Sequence, residues 1–314
     1  MEESSGEPTS ALSVTLFLTM SLAWGINYIF VVIGLGYAAP LWLAALRAAL
    51  GAGVVFAFLR AIQHRSVLDT AGRRDALLIG IPSTAGFLGL WFYAAASVPA
   101  GETAILVYTF PLWVALLSPW ALRHPLSRRH WLAIGIGFAG IVFISQPWSF
   151  GAGAIAPIFL AELLAAAVCW AIGTVLMQRR FPTRLEMREA NIYQMAGGAA
   201  LLLLAALAVN GRQVPVPSPI LGLVLLWIGV VGTGYAYIVW YTLLSRVRAA
   251  TLSAYTFLVP MITALASSIV FRETFTAYEI AGMGLVVASI YLIGTARAPP
   301  SPRDRAASAA VGNP

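Results

Sequence analysis

Residues 91–119 read WFYAAASVPAGETAILVYTFPLWVALLSP, and residues 240–268 read WYTLLSRVRAATLSAYTFLVPMITALASS. In each stretch a tryptophan precedes a proline by twenty residues: Trp91 and Pro111, then Trp240 and Pro260. The same offset of 149 pairs further residues along the chain: Arg123 with Arg272, and Gly135 with Gly284. Apolar matches arise by chance in a hydrophobic chain, but Trp, Pro, Arg and Gly at one constant offset indicate an internal duplication.

The composition is that of a polytopic membrane protein. Apolar residues make up 60% of the 314 residues and charged residues 10%, with a mean hydropathy of +0.84. Soluble domains carry about 25% charged residues. The net charge of +7 comes from arginines in short loops between apolar segments, which is typical of membrane orientation and does not require nucleic acid as a partner. The single cysteine, Cys169, excludes an intrachain disulfide.

A helix needs about 20 mostly apolar residues to cross the bilayer, where no backbone polar group can stay unpaired. Ten segments meet this requirement: 11–34, 39–60, 75–96, 101–121, 130–147, 155–178, 189–210, 219–244, 249–271 and 277–296. The sequence therefore predicts an all-α membrane protein with ten transmembrane helices. Because the connections are short, we expect consecutive helices to be antiparallel neighbours. Residues 1–10 form a short tail, and residues 297–314, rich in Pro, Ala and Ser, are expected to be disordered.

The arginines predict the orientation of these helices. Sixteen lie in the loops 60–74, 122–129, 179–188 and 245–248 and in the C-terminal tail, whereas the opposite loops hold two. Arginine-rich loops stay on the cytoplasmic side, so both termini are expected to be cytoplasmic. With an odd number of helices per half, the second copy must be inverted. We therefore predict one five-helix repeat over 11–147 and an inverted one over 148–296, an arrangement typical of secondary transporters.

Motifs for catalysis are absent from the sequence. It contains no HExxH or CxxC motif, and its glycines lie inside helices and not after a strand. We therefore expect no enzyme, no cofactor and no metal. Without a nucleotide-binding motif, transport must run downhill or be coupled to a gradient, and proton antiport and facilitated diffusion both remain open.

Charged residues inside apolar segments are costly to bury and are the first functional candidates. Arg47 and Glu162 are candidates for a charge or proton role, with a structural ion pair or a snorkelling arginine as the alternative. Glu102 and Glu279 lie close to predicted helix ends, so we expect them at the membrane interface.

Polar and aromatic residues near the membrane midplane are the second set of candidates. Eight of them are predicted to bind substrate: Trp24, Asn27, Phe87, Trp91, Tyr108, Trp170, Thr233 and Tyr237. The asparagine amide needs a partner on a neighbouring helix or a wet cavity, and the alternative for the aromatic residues is packing or an interfacial belt. Pro111 and Pro260 each free a carbonyl and bend a helix, so we predict gating kinks there.

Several motifs resemble those of the drug/metabolite transporter superfamily, in particular its EamA-like branch of ten-helix exporters. They are Trp24-Gly25-x-Asn27, Glu102-Thr103-Ala104, Tyr108-Thr109-x-Pro111, Tyr255-Thr256-Phe257-Leu258-x-Pro260 and Phe271-Arg272-Glu273. Each motif is weak alone, but their order, spacing and duplication together are specific. The chain is most similar to the aromatic amino-acid exporters of that branch. One departure is Ala171, which follows Trp170 where the family has glycine.

The resemblance implies a secondary transporter in the bacterial inner (plasma) membrane, with a central cavity lined by helices one, three, four, six, eight and nine. We expect it to export aromatic and other neutral amino acids and related small metabolites by alternating access. An exporter of cationic drugs or of other metabolites is the alternative, and an intramembrane enzyme or a channel is a distant one. The expected partners are a small-molecule substrate and the lipid bilayer, with no nucleic acid, and the oligomeric state is left open.

Overall fold

The computed structural model describes residues 11–62, 66–121, 127–145, 155–211, 215–247, 249–256 and 258–295. These residues form ten helices and no strand. In chain order the helices are α1 (Ala11–Leu35), α2 (Pro40–Ile62), α3 (Thr70–Ala94), α4 (Ala100–Ala121), α5 (Arg128–Ser145), α6 (Pro157–Arg180), α7 (Arg184–Asn210), α8 (Pro219–Leu244), α9 (Ala249–Tyr255 and Leu258–Val270) and α10 (Ala277–Thr295).

Seven of the described helices, α1 to α4 and α6 to α8, are long and apolar enough to cross a membrane. The apolar parts of α9 and α10, Leu258–Val270 and Ala277–Ser289, are shorter. The predicted all-helical architecture is therefore confirmed for the described residues. That all ten helices span the bilayer stays a prediction.

Two helices begin earlier than predicted because polar caps lie before their apolar segments. The side chain of Asp69 accepts the N–H of Gly72 at 2.7 Å, so α3 begins at Thr70 and not near residue 75. Thr183 and Glu186 form a capping box, so α7 begins at Arg184 and not near residue 189. Apolar content alone does not detect such polar first turns.

Widened π-helical turns interrupt one helix in each half of the chain. They lie at Ile81–Gly86 in α3 and at Leu226–Tyr235 in α8. The offset of 149 read from the sequence carries the first onto residues 230–235, inside the second. Such turns often mark functional positions in a helix.

The helices that carry the two prolines are broken just before them. In α4 the α-helical turns end at Val107 and resume at Phe110. In α9 they end at Tyr255, Thr256 lies in a turn, and the described α-helix continues from Leu258. Proline lacks an N–H group, so it is tolerated in the first turn after a break. The helices are irregular before both prolines, and the gating kinks stay a prediction.

The most extensive helix packing joins the two halves of the chain and not consecutive helices, contrary to our expectation. The main pairs are α5 with α10, α2 with α7, α3 with α7 and α6, α8 with α2 and α1, α4 with α6, and α1 with α9. Small residues allow the helices to approach closely: a Cβ added at Gly140 of α5 would lie 2.8 Å from the carbonyl oxygen of Gly282 in α10. Exchanging the two halves maps this set of pairs onto itself, as two copies of one five-helix unit would require.

Candidate functional site

Nine aromatic side chains from five helices meet in the middle of the molecule. This central aromatic cluster consists of Trp24, Tyr28, Phe87, Trp91, Tyr108, Phe110, Trp170, Tyr237 and Trp240. Each of them is at most 3% exposed. The helices that supply them are α1, α3, α4, α6 and α8.

Trp170 of α6 holds the cluster together. Its ring stacks on Phe110 with centroids 3.8 Å apart and on Phe87 at 4.8 Å, and it meets Trp24 edge-on at 5.5 Å. Trp24 in turn contacts Tyr237 at 5.9 Å and Trp240 at 5.6 Å. Aromatic pairs at these distances contribute about 0.5–1.5 kcal/mol each beyond simple burial.

A backbone carbonyl of the α8 π segment orients Trp24. The indole N–H of Trp24 donates to the carbonyl oxygen of Gly232 at 3.0 Å. The indole N–H groups of Trp91, Trp170 and Trp240 have no hydrogen-bond partner among the described residues, although all three are buried. The cluster therefore contains hydrogen-bond donors that a ligand could satisfy.

Arg47 places a positive charge against this cluster. It is 1% exposed, its Nε donates to Thr233 Oγ1 at 2.7 Å, and its guanidinium lies 4.8 Å from the centre of the Trp91 ring. Nη1 has no partner, and no carboxylate of the described chain lies within ion-pair distance of Arg47. A buried charge without a counter-ion costs several kcal/mol, so this guanidinium favours an anionic partner.

Asn27 adds a second unsatisfied polar group. Its side chain is 1% exposed, and neither its amide nitrogen nor its amide oxygen has a partner within the part of the chain that the structure describes. The amide lies against the π segment of α8, since a Cβ at Gly232 would come 2.2 Å from Asn27 Oδ1. Asn27 and Arg47 therefore supply both donors and an acceptor at the edge of the aromatic cluster.

The space between these side chains is nearly filled. It measures about 10 Å³ and is lined by Trp24, Asn27, Tyr28, Arg47, Phe87, Trp91, Tyr108, Trp170 and Tyr237. A cavity of that size has room for about one water molecule. The central space is therefore too small for an amino acid with the helices in this arrangement.

Polar contacts tie the helices together at both ends of the molecule. The carboxylate of Glu273, in the turn between α9 and α10, accepts two backbone N–H groups of the first turn of α4 at 2.9 and 3.1 Å. A carboxylate there also interacts favourably with the α4 dipole. At the opposite end the amide of Gln178 in α6 donates to two carbonyls of the α8–α9 turn at 3.2 and 2.9 Å, and it accepts the N–H of Ala249 at 3.0 Å.

The structure brings together seven of the eight predicted substrate-binding residues: Trp24, Asn27, Phe87, Trp91, Tyr108, Trp170 and Tyr237. The eighth, Thr233, lies behind them and holds Arg47. Tyr28, Phe110 and Trp240 belong to the cluster but were not predicted. Two of them had a signal in the sequence: Tyr28 lies one helical turn after Trp24, and the offset of 149 pairs Trp240 with Trp91.

The predicted charged residues separate into different places. The helices around the central space differ from those that the resemblance implied. Arg47 of α2 lines this space, and none of the described residues that line it comes from α9. Glu162 forms no ion pair with Arg47 in the described chain and lines another cavity. Glu102 and Glu279 were expected at the membrane interface, but they are 9% and 4% exposed. Burial against protein does not fix their depth in the membrane, so a position at the interface stays a prediction. Glu279 accepts the backbone N–H of Thr276, three residues before it, at 2.6 Å.

Comparison with known proteins agrees with this architecture. The model of the EamA-like transporter family matches the chain twice, at residues 11–146 and 156–295. The uncharacterized transporter YvbV of Bacillus subtilis is 28% identical over 89% of this chain and 90% of its own length. A probable amino-acid metabolite efflux pump of Salmonella typhimurium is 25% identical over 88% of this chain and 93% of its own. A solved crystal structure with 21% identity covers 90% of this chain and 97% of its own, with a TM-score of 0.66, which supports the fold.

The matched family and the names of the relatives indicate a multi-pass membrane transporter and not an enzyme. The chain belongs to the EamA-like transporter family. A further relative, YedA of Escherichia coli K12, is described as an inner membrane transporter and is 25% identical over 87% of each chain.

Proposed function

We propose that the protein is a secondary transporter that exports amino acids and related small metabolites through the central aromatic cluster. The observation that carries this proposal is Arg47, a guanidinium that is 1% exposed and has no carboxylate partner among the described residues. A relative whose name describes an amino-acid metabolite efflux pump supports the substrate class.

The substrate carboxylate would supply the missing counter-ion. Nη1 of Arg47 is free to donate, and Thr233 holds Nε at 2.7 Å so that the guanidinium keeps its orientation. Guanidinium–carboxylate pairs are strong and directional because two parallel N–H···O bonds can form. The amide of Asn27, which has no partner in the described part of the chain, would bind the polar groups left over.

The aromatic side chains would hold the rest of the substrate. Indole and phenol faces take up apolar and aromatic side chains, and they attract an ammonium group by about 0.5–2 kcal/mol. Trp24 and Trp170 lie at the centre of this surface. The cluster therefore suits aromatic and other neutral amino acids better than a phosphate compound, which would need several basic groups at this depth.

Transport would follow alternating access, in which two inverted five-helix repeats, 11–147 and 148–296, move against each other. The protein would lie in a bacterial inner membrane with both termini in the cytoplasm. The two matches of the family model and the exchange relation between helix pairs support this assignment. Because the central space measures about 10 Å³, each half-cycle must release the contacts at one end of the molecule. The breaks before Pro111 and Pro260 and the π turns of α3 and α8 are the positions at which we expect the helices to bend.

The test is counterflow in proteoliposomes that contain the purified protein. Vesicles preloaded with unlabelled phenylalanine are expected to accumulate radiolabelled phenylalanine, and this readout does not depend on the energy source. In Arg47→Met we expect kcat/KM for phenylalanine to fall by about 10- to 100-fold, the value of one hydrogen bond to a charged group. Phenethylamine, which lacks the carboxylate, should lose no affinity for the variant.

Arg60→Met is the matched control, because Arg60 lies on the same helix and is exposed. It should transport phenylalanine like the parent protein. If no amino acid moves in the parent protein with or without a pH gradient, the substrate class is wrong. If Arg47→Met carries phenylalanine at the parental rate, the carboxylate does not bind Arg47.

A further inference from the structure

A second cavity lies beside the central site, on the other side of α3. Its volume is about 380 Å³, and it is open towards the exterior of the helix bundle. The residues around it come from α2, α3, α6 and α7: Leu41, Ala85, Gly86, Gly89, Leu90, Tyr93, Glu162, Leu201, Leu202 and Ala205. Drug-sized ligands occupy cavities of about 300–1,000 Å³, so this lateral cavity can hold a small organic molecule.

Helix α3 separates the lateral cavity from the central aromatic cluster. Gly86, Gly89 and Tyr93 follow one another at helical spacing and face the lateral cavity, whereas Phe87 and Trp91 face the cluster. At Gly89 helix α3 comes close to the side chains that line this cavity, since a Cβ there would lie 3.2 Å from Leu202 and 3.8 Å from Leu41. The lateral cavity therefore has its own lining, and no described residue lines both spaces.

One carboxylate is the charged group of this apolar cavity. Glu162 of α6 is half-buried, and its Oε2 is fully buried with no hydrogen-bond partner within the described residues. No arginine of the described chain lies within ion-pair distance of it. An unpaired carboxylate oxygen in apolar surroundings is costly and favours a cationic donor.

We propose that the lateral cavity binds a lipophilic amine, with its ammonium group against Glu162 and its apolar body along Leu41, Leu90 and Leu202. A free amine fits both features of the cavity, since it combines one positive donor with an apolar body. This inference does not rest on the proposed function, because it concerns other residues and a ligand without a carboxylate.

The test uses three probes that share one apolar body: 4-phenylbutylamine, 4-phenylbutanol and 4-phenylbutyrate. Binding to the purified protein in nanodiscs without phosphatidylethanolamine is measured by calorimetry. We expect the amine to bind at least about tenfold more tightly than the alcohol, and the acid to bind most weakly. Glu162→Gln should remove the advantage of the amine and leave the affinity for the alcohol unchanged.

A second variant, Ala205→Phe, fills the cavity and should abolish binding of both the amine and the alcohol. Amine binding that persists in Glu162→Gln but is lost in Trp24→Ala would place the amine in the central cluster and overturn the proposal. A second outcome would also overturn the proposal: the amine does not bind in these nanodiscs, and phosphatidylethanolamine co-purifies with the parent protein but not with Glu162→Gln. The cavity would then bind a lipid headgroup and not a free amine. Because binding is measured directly, failure here is distinguishable from failure of amino-acid counterflow.

Discussion

Replacing Arg47 by methionine should make the ligand-free protein more stable although it removes the proposed carboxylate ligand. The guanidinium is 1% exposed and lacks a carboxylate partner in the described chain, so it bears a desolvation penalty that no ion pair offsets. Methionine is unbranched and fills a similar elongated space. Thr233 Oγ1 stays satisfied in the variant because it also donates to the carbonyl oxygen of Ile228 at 2.7 Å.

The expected gain in the free energy of unfolding is about 1–4 kcal/mol, the range found when buried ionic groups are replaced by apolar ones. The loss of the stacking on Trp91, about 2 kcal/mol at a desolvated site, reduces the net gain to at most about 2 kcal/mol. Tryptophan fluorescence of the purified protein during heating should show an apparent Tm a few degrees higher.

A ligand titration completes this experiment. Phenylalanine at 100 times its Kd should stabilise the parent protein by about 2.7 kcal/mol and the variant hardly at all. A variant that is less stable than the parent without ligand would refute the reasoning, because Arg47 would then be satisfied within the fold. Arg60→Met is the control for loss of an arginine from α2 and should shift the Tm little, since Arg60 is exposed.

Two further predictions concern the packing and the ends of the molecule. Gly282→Ala should destabilise the contact between α5 and α10 by about 1–3 kcal/mol, because its Cβ would lie 2.7 Å from the carbonyl oxygen of Gly140. Gly284→Ala on the same helix is the control: its Cβ would meet nothing within 4 Å, so thermal unfolding should not change. Gln178→Leu removes three hydrogen bonds to the α8–α9 turn, so hydrogen–deuterium exchange at the Ala249 amide should accelerate. Unchanged exchange there would show that Gln178 does not hold this end closed.

The helix pattern and much of the candidate site were predictable from the sequence. Hydropathy located the segments because a backbone in lipid must satisfy its own hydrogen bonds. Depth follows from position along a helix, at about 1.5 Å per residue. For that reason Trp24, Asn27 and Trp170 could be assigned to one level of the bilayer before their contacts were known.

Other members of the site depended on which way each helix faces. Phe110 and Trp240 are apolar aromatic residues in apolar segments, and composition does not distinguish a ring that faces lipid from one that faces a neighbouring helix. Trp120 and Trp240 illustrate this, because the first is 86% exposed and the second 0%. Lipid is as apolar as a protein core, so the hydrophobic pattern that orients a helix in a soluble protein is weak here.

The sequence by itself determined that this chain forms apolar helices, that its two halves are related, and which residues are candidates for a central site. Only the tertiary structure decided that helices of opposite halves pack together, that Arg47 lies against Trp91 while Glu162 lines a separate cavity, and that the central space is too small for an amino acid. The physical reason is that burial in lipid depends on hydrophobicity, which is read along the chain. Contacts between helices depend on close packing of small residues and on hydrogen bonds, which arise only when the helices come together.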